Sequence, residues 1–487
     1  MQPRLAEPSC RRAIRVLCAG LSLALLTSCV TYEPKPLVPE KSAAAFDARR
    51  MDSPELRKFI EQQLGHELKV WPPTGTNGWN RELLTLAAYF YHPSLDVARA
   101  QWQAAQAAEI SAGARPNPTV GVQPGYNFNA ASGVLSPWIP GATIDLPIET
   151  AGKRGLRISR ARQQSEIARC NLLMSAWKVR ADVRDVLSNG DLGARRGWLG
   201  LQVSTQQEII RRLEQRQKAG AASSSDVLSA RLALAKMKNE LELVNESLAV
   251  TSTRLAEAVG APVQAIEFSG ITYKYDSVQI THKQLLEFRT QALQGRADIR
   301  VALAEYEAAQ LSLQLEVARQ YPDIHLGTGY QWDQGESKWS FLNVSADLPV
   351  LNRNQGPIAE ARLKREEAAA RFIAIQAKIS ADIDSATSSF RAAQKRRFVM
   401  KQMRDDLQLQ YEMITAQLKA GAADHFDELA AFQERVSFRM MEDEAVYRAE
   451  LALNQLEDAL QRPLANGSAP PPGEFIETNP RAAKEKP

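Results

Sequence analysis

Cysteine is scarce in this 487-residue chain: there are four, and two of them, Cys10 and Cys18, fall within the first 28 residues. An exported chain with so few cysteines is not held by a disulfide framework. The five histidines, His66, His92, His282, His325 and His425, are scattered, with no Cys or Met cluster beside them. That pattern argues against a dedicated metal site. HExxH, GxSxG and phosphate-binding glycine loops are all missing, which argues against an enzyme. The net formal charge of +4 includes the arginines of the N-terminal head, so it makes no case for nucleic acid as a partner. Past residue 28 no stretch reaches 18 apolar residues, which excludes a conventional transmembrane helix. The short, half-apolar strands of a membrane barrel are not excluded by that absence.

The head of the chain sets the expected compartment. Arg4, Arg11, Arg12 and Arg15 precede the apolar run VLCAGLSLALL (16–26), followed by Thr27, Ser28 and Cys29. A basic head, a short apolar core and a small residue before the cut read as a secretory signal peptide over 1–28. Leu26-Thr27-Ser28-Cys29 resembles a bacterial lipobox, in which Cys29 becomes the lipidated first residue. Val30, rather than an aspartate, in the second mature position resembles a lipoprotein sent on to the outer membrane. An ordinary leader in which Cys29 is incidental is the other reading. Cys170 lies in a helix-like run and reads as a packing residue.

The chain says nearly the same thing twice. HPSLDVARAQWQAAQAAEISAGARPNPTVGV from His92 is answered by RADIRVALAEYEAAQLSLQLEVARQYPDIHL from Arg296, with Trp102 matching Tyr306, Arg115 matching Arg319 and Pro118 matching Pro322. DLPIETAGKRG from Asp145 is answered by DLPVLNRNQG from Asp347, and KAGAASSSD from Lys218 by KAGAADHFD from Lys419. One order of landmarks at nearly constant spacing means two structural copies, expected at 80–260 and 289–462. Outside them stand a proline-rich segment (29–79) with a short helix near 53–64, a linker (261–288) and a tail (463–487) that reads as disordered.

Each copy changes its hydrophobic period in the middle. Val120, Val122, Pro124, Tyr126 and Phe128 alternate with Thr119, Gly121, Gln123, Gly125 and Asn127. That is a strand facing two environments. Ile324, Leu326, Tyr330 and Trp332 repeat the pattern, and after turn-rich NAASG and DQGES a returning strand runs to each DLP. There, Ile144, Leu146 and Ile148 oppose Thr143 and Asp145, and Leu342, Val344, Ala346 and Leu348 oppose Asn343, Ser345 and Asp347. Four strands cannot close a barrel alone, and open edges are forbidden in hydrocarbon. Strands of this kind either pool between chains or pack as soluble hairpins against helices.

Long helices follow, at about 153–219 and 357–418, with Pro357 suiting a first helical position. At about 1.5 Å per residue these reach on the order of 90 to 100 Å. SNGDLGARRG (188–197) reads as a loop in isolation, but its glycine-free counterpart SFRAAQKRR argues that it is mostly helical. After each KAG turn a return helix runs to about Val259 and Leu460, capped by Ser224 or Ser225 in the first copy and by Asp424 in the second.

These features together resemble the TolC-like outer membrane efflux family: the lipobox at Cys29, two copies of helix, strand, DLP-ending strand and long helix, and the repeated KAG-x5-D word. The likeness spans about residues 80–462. DLPIETAGKRGLRI (145–158) is similar to the heavy-metal branch represented by the cobalt-zinc-cadmium resistance outer membrane component. The resemblance implies a mainly α chain with a membrane β-barrel portion. In that family a homotrimer forms a twelve-stranded β-barrel in the Gram-negative outer membrane, continued by a twelve-helix periplasmic α-barrel. It further implies the passive exit duct of a tripartite pump, docked by a periplasmic membrane-fusion adaptor and driven by an inner membrane, proton-driven RND-type transporter. Neither a catalytic residue nor a cofactor belongs to that role.

By the same resemblance, Gly220 and Gly421 match the glycines of the periplasmic tip where adaptors dock, and Asp226 and Asp427 match the aspartate that starts each return helix. Ala430 stands where some relatives carry a further acid, and Asp424 supplies charge instead. Asp226, Asp424 and Asp427 would ring an aperture and draw cations, or else act as helix caps. Asp145 and Asp347 are expected at lumen-facing strand positions. Heavy-metal cations are the expected cargo on the strength of residues 145–158 alone. Small organic compounds are the alternative within the same fold, and a non-channel periplasmic coiled-coil lipoprotein is the alternative outside it. The lipobox reading has a direct test: Cys29→Ser abolishes incorporation of labelled palmitate and leaves the chain unanchored, whereas unchanged labelling rejects it.

Overall fold

The computed structural model describes residues 31–73, 78–128, 136–188, 192–267, 270–271, 278–333, 336–464, 472–473 and 476–477. Residues 1–30, with the expected leader and Cys29, lie outside them, as do 189–191 of the glycine-containing stretch. The chain divides into two units after Ala48. The first holds α1 (Pro39–Asp47), which buries no side chain.

The second unit opens with α2 (Pro54–Leu64), capped by the Ser53 hydroxyl and ended by Gly65 at φ 72°. Leu56, Phe59 and Ile60 bury one face of it. α3 (Arg81–Tyr91) starts at the Asn80 cap and is buried from Leu83 to its end. The first copy then runs α4 (Pro93–Ala112), β1 (Thr119–Tyr126), β2 (Trp138–Ile148), α5 (Lys153–Ser188), α6 (Leu192–Lys218) and α7 (Ser224–Val259). α8 (Val263–Glu267) and α9 (His282–Gly295) lie between the copies. The second copy runs α10 (Ala297–Ala318), β3 (Ile324–Asp333), β4 (Glu336–Ala346), α11 (Gln355–Lys419) and α12 (His425–Leu460).

One ordering organises this unit. The sheet is antiparallel with strand order β1-β2-β3-β4. α4 feeds β1, β2 feeds α5, α10 feeds β3 and β4 feeds α11, and these four helices pack side by side in the same order. Further along, α7, α6, α12 and α11 are successive neighbours. At 65 residues, α11 is about 97 Å long. Among the described residues no helix is long and apolar enough to cross a membrane.

Several expectations need correcting. Pro357 is the third residue of α11 rather than the first, a position still inside the first turn, where no intrahelical partner is lost. The glycine-containing stretch, by contrast, agrees with its glycine-free counterpart: Gly193 and Gly197 lie within α6, which is helical from Leu192. β2 does run through its DLP, but β4 stops at Ala346 because its partner β3 begins at Ile324, leaving Asp347 and Leu348 unpaired. A bulge also interrupts β4: Gly327 pairs with Asn343, whereas Gly329 pairs with Ser340. Strict alternation places Trp339 with Asn343; the extra residue turns it to Tyr330, with ring centroids 4.7 Å apart.

The tail is not wholly free. Ile476 is buried in the first core, Arg99 Nε donates to its carbonyl at 2.6 Å, and Arg169 pairs with Glu477 at 2.7 Å. A buried isoleucine and two charge-assisted contacts offset the ordering entropy that a polar tail alone does not.

Apolar burial concentrates at one level in each copy. Leu83 to Tyr91 meet Leu172, Val179 and Val183 of α5 and Leu255 and Val259 of α7. In the second copy, Leu285 and Ile299 meet Ile379, Ile383 and Phe390 of α11 and Leu453, Leu456 and Leu460 of α12. Beyond Phe390, α11 buries no side chain. Between the two cores, Arg180 and Arg184 of α5, each 1% exposed, both donate to Glu457 of α12, which is fully buried. Arg81 pairs with Glu450 at 2.9 Å beside them. Removing one partner from such a pair typically costs about 3–5 kcal/mol, because it strands a charge.

Burial also pushes the neighbouring Asp458 carboxyl up to about 7. The folded chain therefore holds a proton there that the unfolded chain, with an ordinary value of about 3.9, has released. The contribution of this group to stability is full below about pH 4 and declines as pH rises to about 7. Asp458→Asn is expected to flatten that slope and to raise the unfolding free energy at pH 8, measured by chemical denaturation, by at most about 4 kcal/mol. Identical slopes in the two proteins would rule it out.

Candidate functional site: the paired helix turns and the polar face of the sheet

The repeated KAG word folds into the same turn twice. After α6, the Ala221 N–H donates to Arg216 O at 2.8 Å and the Gly220 N–H to Gln217 O at 2.9 Å. After α11, Ala422 N–H donates to Gln417 O at 2.9 Å and Gly421 N–H to Leu418 O at 3.0 Å. This six-to-one, five-to-two pattern is a Schellman motif. It needs a left-handed residue in its middle, and Gly220 and Gly421 supply it at φ 74° and 72°.

The aspartate that follows has an equally local cause. Ser223 caps α7: its hydroxyl accepts from Asp226 N–H at 3.1 Å, and the Asp226 carboxylate accepts from Ser223 N–H at 2.9 Å. In the second turn Asp424 takes the cap, accepting from Asp427 N–H at 3.3 Å, and Asp427 accepts from Asp424 N–H at 2.9 Å. Both are capping boxes with aspartate in the third helical position. The expected caps Ser224 and Ser225 are inside the helix, because a carboxylate at 226 reaches back three residues and not one or two. The Ser223 N–H holds the Asp226 carboxyl below its usual range.

The two turns are brought together by Arg216. Its Nη2 donates to Asp424 Oδ2 at 2.8 Å, and its guanidinium lies 4.2 Å from the centroid of Phe426. That contact lowers the Asp424 carboxyl, with the Phe426 N–H adding to it. Nothing in the repeat pointed to Arg216 or Phe426. The available signal was a mismatch: Arg216 faces Gln417 in the alignment of the copies, and Phe426 is an aromatic residue in an otherwise polar word.

At the sheet, Asp145 and His325 share a hydrogen bond of 2.7 Å between Oδ2 and Nδ1. Asp145 lies opposite Gly327, which leaves room for the diagonal contact with His325. Asp347 is past the end of β4, so only one of the two expected acids is a strand position. Just beyond this end, Lys153 Nζ reaches Asp323 at 2.9 Å and Tyr321 O at 2.7 Å, and Thr150 N–H reaches the same aspartate at 2.9 Å. Cys170 is buried and its thiol is pushed up to about 11 by that burial, a packing group rather than a nucleophile. Among the described residues, no group of three or more His, Cys, Asp and Glu side chains is arranged to hold a metal ion.

Residues 89–261 and 289–461, the two copies, each match the family described as outer membrane efflux protein. The chain belongs to that family. Among curated relatives, this outer membrane efflux protein is 23% identical over 308 residues to the cobalt-zinc-cadmium resistance protein CzcC of Cupriavidus metallidurans, a match covering 61% of this chain and 72% of the relative. Its fold is that of the outer membrane protein VceC of Vibrio cholerae, with a TM-score of 0.63 at 19% identity over 78% of this chain and 95% of the other. The CmeC outer membrane channel of Campylobacter jejuni aligns with a TM-score of 0.63 at 12% identity, over 90% of this chain and 92% of that one.

The capping geometry gives a local prediction. Ser223→Ala destabilises the first turn of α7 by about 1 kcal/mol, read as faster amide exchange at Asp226 and Val227, and Ser223→Thr restores most of the protection. Equal exchange in the alanine variant would show that the cap is idle.

Proposed function

We propose that the chain is the outer membrane exit duct of a tripartite efflux pump, assembled as a homotrimer, and that its cargo is heavy-metal cations. The observation that carries the duct reading is a sheet with two open edges, β1 and β4, and a face of exposed apolar residues. Val120, Val122 and Leu342 are 71%, 74% and 68% exposed in the single chain. Within lipid, every strand edge needs a partner. Three copies joined edge to edge would close twelve strands, with the apolar row toward lipid and Asp145, His325 and Thr143 toward water. The helices that continue the strands in the same lateral order would then continue the wall, and their thinly buried outer parts suit a water-filled tube.

In this reading Cys29 carries the lipid anchor, and the turns at Gly220 and Gly421 form the periplasmic tip. There a membrane-fusion adaptor docks and connects the duct to an RND-type transporter. Asp226 and Asp427, with whatever part of the Asp424 charge Arg216 leaves uncancelled, would set a negative field at the aperture, in three copies each. Support for metal cargo comes from the stretch DLPIETAGKRG and from the likeness to CzcC.

Asp424→Asn with Asp427→Asn tests the aperture. Asparagine is itself a good cap, so the substitution of Asp424 removes charge with little loss of capping. The pair is expected to raise single-channel conductance and to reduce cation preference by severalfold in planar bilayers, and unchanged conductance and selectivity would reject the acidic aperture. Deleting the gene separates the cargoes: hypersensitivity to cobalt, zinc or cadmium supports metal export, and hypersensitivity confined to organic compounds overturns it.

A further inference from the structure

Away from the turns and the sheet, α5, α9, α10 and the end of α12 line an open cleft of about 610 Å³. That volume is within the range of about 300–1,000 Å³ typical of small-ligand pockets. We propose that this cavity binds a small aromatic carboxylate. Trp177 of α5 and Phe288 of α9 supply flat apolar walls, and Arg296, Arg300 and Arg462 supply positive charge. No aspartate or glutamate is among the described residues that line it.

Two of the arginines are held from behind. Arg296 forks onto Asp298, with contacts of 3.0 and 2.6 Å, and donates to Asp458 O at 3.3 Å at the end of α12. Arg300 reaches Glu166 at 2.5 Å. Neither Asp298 nor Glu166 lines the cavity, so these contacts orient the guanidinium groups without placing an acid inside it. Arg462 differs. It donates to the neutral Gln291 side chain at 2.5 Å and stacks 4.3 Å from the centroid of Phe288, and it has no carboxylate partner among the described residues. Among the described residues nothing therefore cancels its charge at the rim of an aromatic pocket.

A planar guanidinium presents a fork that matches a carboxylate. Beside it, a ring of benzoate or naphthoate size finds Trp177 and Phe288, where stacking and apolar burial favour an aromatic body over a hydrated inorganic anion. The pocket draws on both copies and on the segment leaving α12, and it does not depend on the transport reading.

Fluorine NMR of 6-fluoro-2-naphthoate with the full-length protein in lipid nanodiscs, with empty nanodiscs as the blank, tests the proposal. The expected result is saturable binding of one probe per chain. Arg462→Gln weakens it by roughly tenfold or more, Phe288→Leu weakens it severalfold, and Arg462→Lys retains part of it. Arg435→Gln, which alters a separate arginine–aromatic cluster over Tyr411, leaves it unchanged. The neutral 6-fluoro-2-naphthalenemethanol does not saturate. Absence of saturable binding overturns the proposal, as does equal binding by the alcohol or by an Arg462→Gln protein with unaltered elution and melting.

Discussion

Arg180 and Arg184 of one copy meet a single glutamate, Glu457, of the other, and all three side chains are out of water. The arrangement is stable only while the partners stay in register, because either arginine or the glutamate left alone is a buried charge. It fixes α5 against α12 where the two apolar cores approach each other, and so sets how the copies are joined. Duplication did not produce it symmetrically. At the positions in α7 that answer Glu450 and Glu457 stand Ala249 and Ala256. The doubled skeleton is pinned through one of its two equivalent contacts.

The same polarity recurs along the helices. Lys153 of the first copy holds Asp323 of the second beside the sheet, Arg180 and Arg184 hold Glu457 between the cores, and Arg216 holds Asp424 at the turns. In these three contacts the first copy gives the cation and the second the acid, whereas Arg300 of the second copy meets Glu166 of the first at 2.5 Å. Their energetic weight differs with solvent: the middle contact is dry and costly to break, whereas the Arg216 contact is half exposed on both sides and worth about 0–1 kcal/mol by itself. The two copies are therefore held together firmly near the cores and more loosely at the turns.

Much of this was readable from residues alone, for identifiable reasons. Glycine and proline punctuate the return helices, and their ends at Val259 and Leu460 fall where expected. Period-two alternation placed β1 and β2, since nothing in those strands breaks it. The bulge in β4 was not legible, because an inserted residue between two glycine pairings leaves no compositional mark. Neither was the Arg180, Arg184 and Glu457 contact: on a polar helix a buried arginine reads like a solvated one, and only the neighbouring helix distinguishes them. Ile476 was overlooked for the opposite reason. One apolar residue in a proline-rich, charged tail looks too little to order it, yet it enters a core already built by others.

The turns show how capping and charge can reside in one residue. The box at Ser223 and Asp226 needs only an acceptor, as the box at Thr281 and Gln284 shows with a neutral amide. Aspartate adds a charge that the Ser223 N–H favours, so one residue both starts the helix and carries negative charge at its tip. Asp424 is a different case, since its charge faces Arg216 at 2.8 Å and is largely cancelled. If an aperture is lined at this end, its field comes chiefly from Asp226 and Asp427, while Asp424 serves the cap and the contact between the two turns.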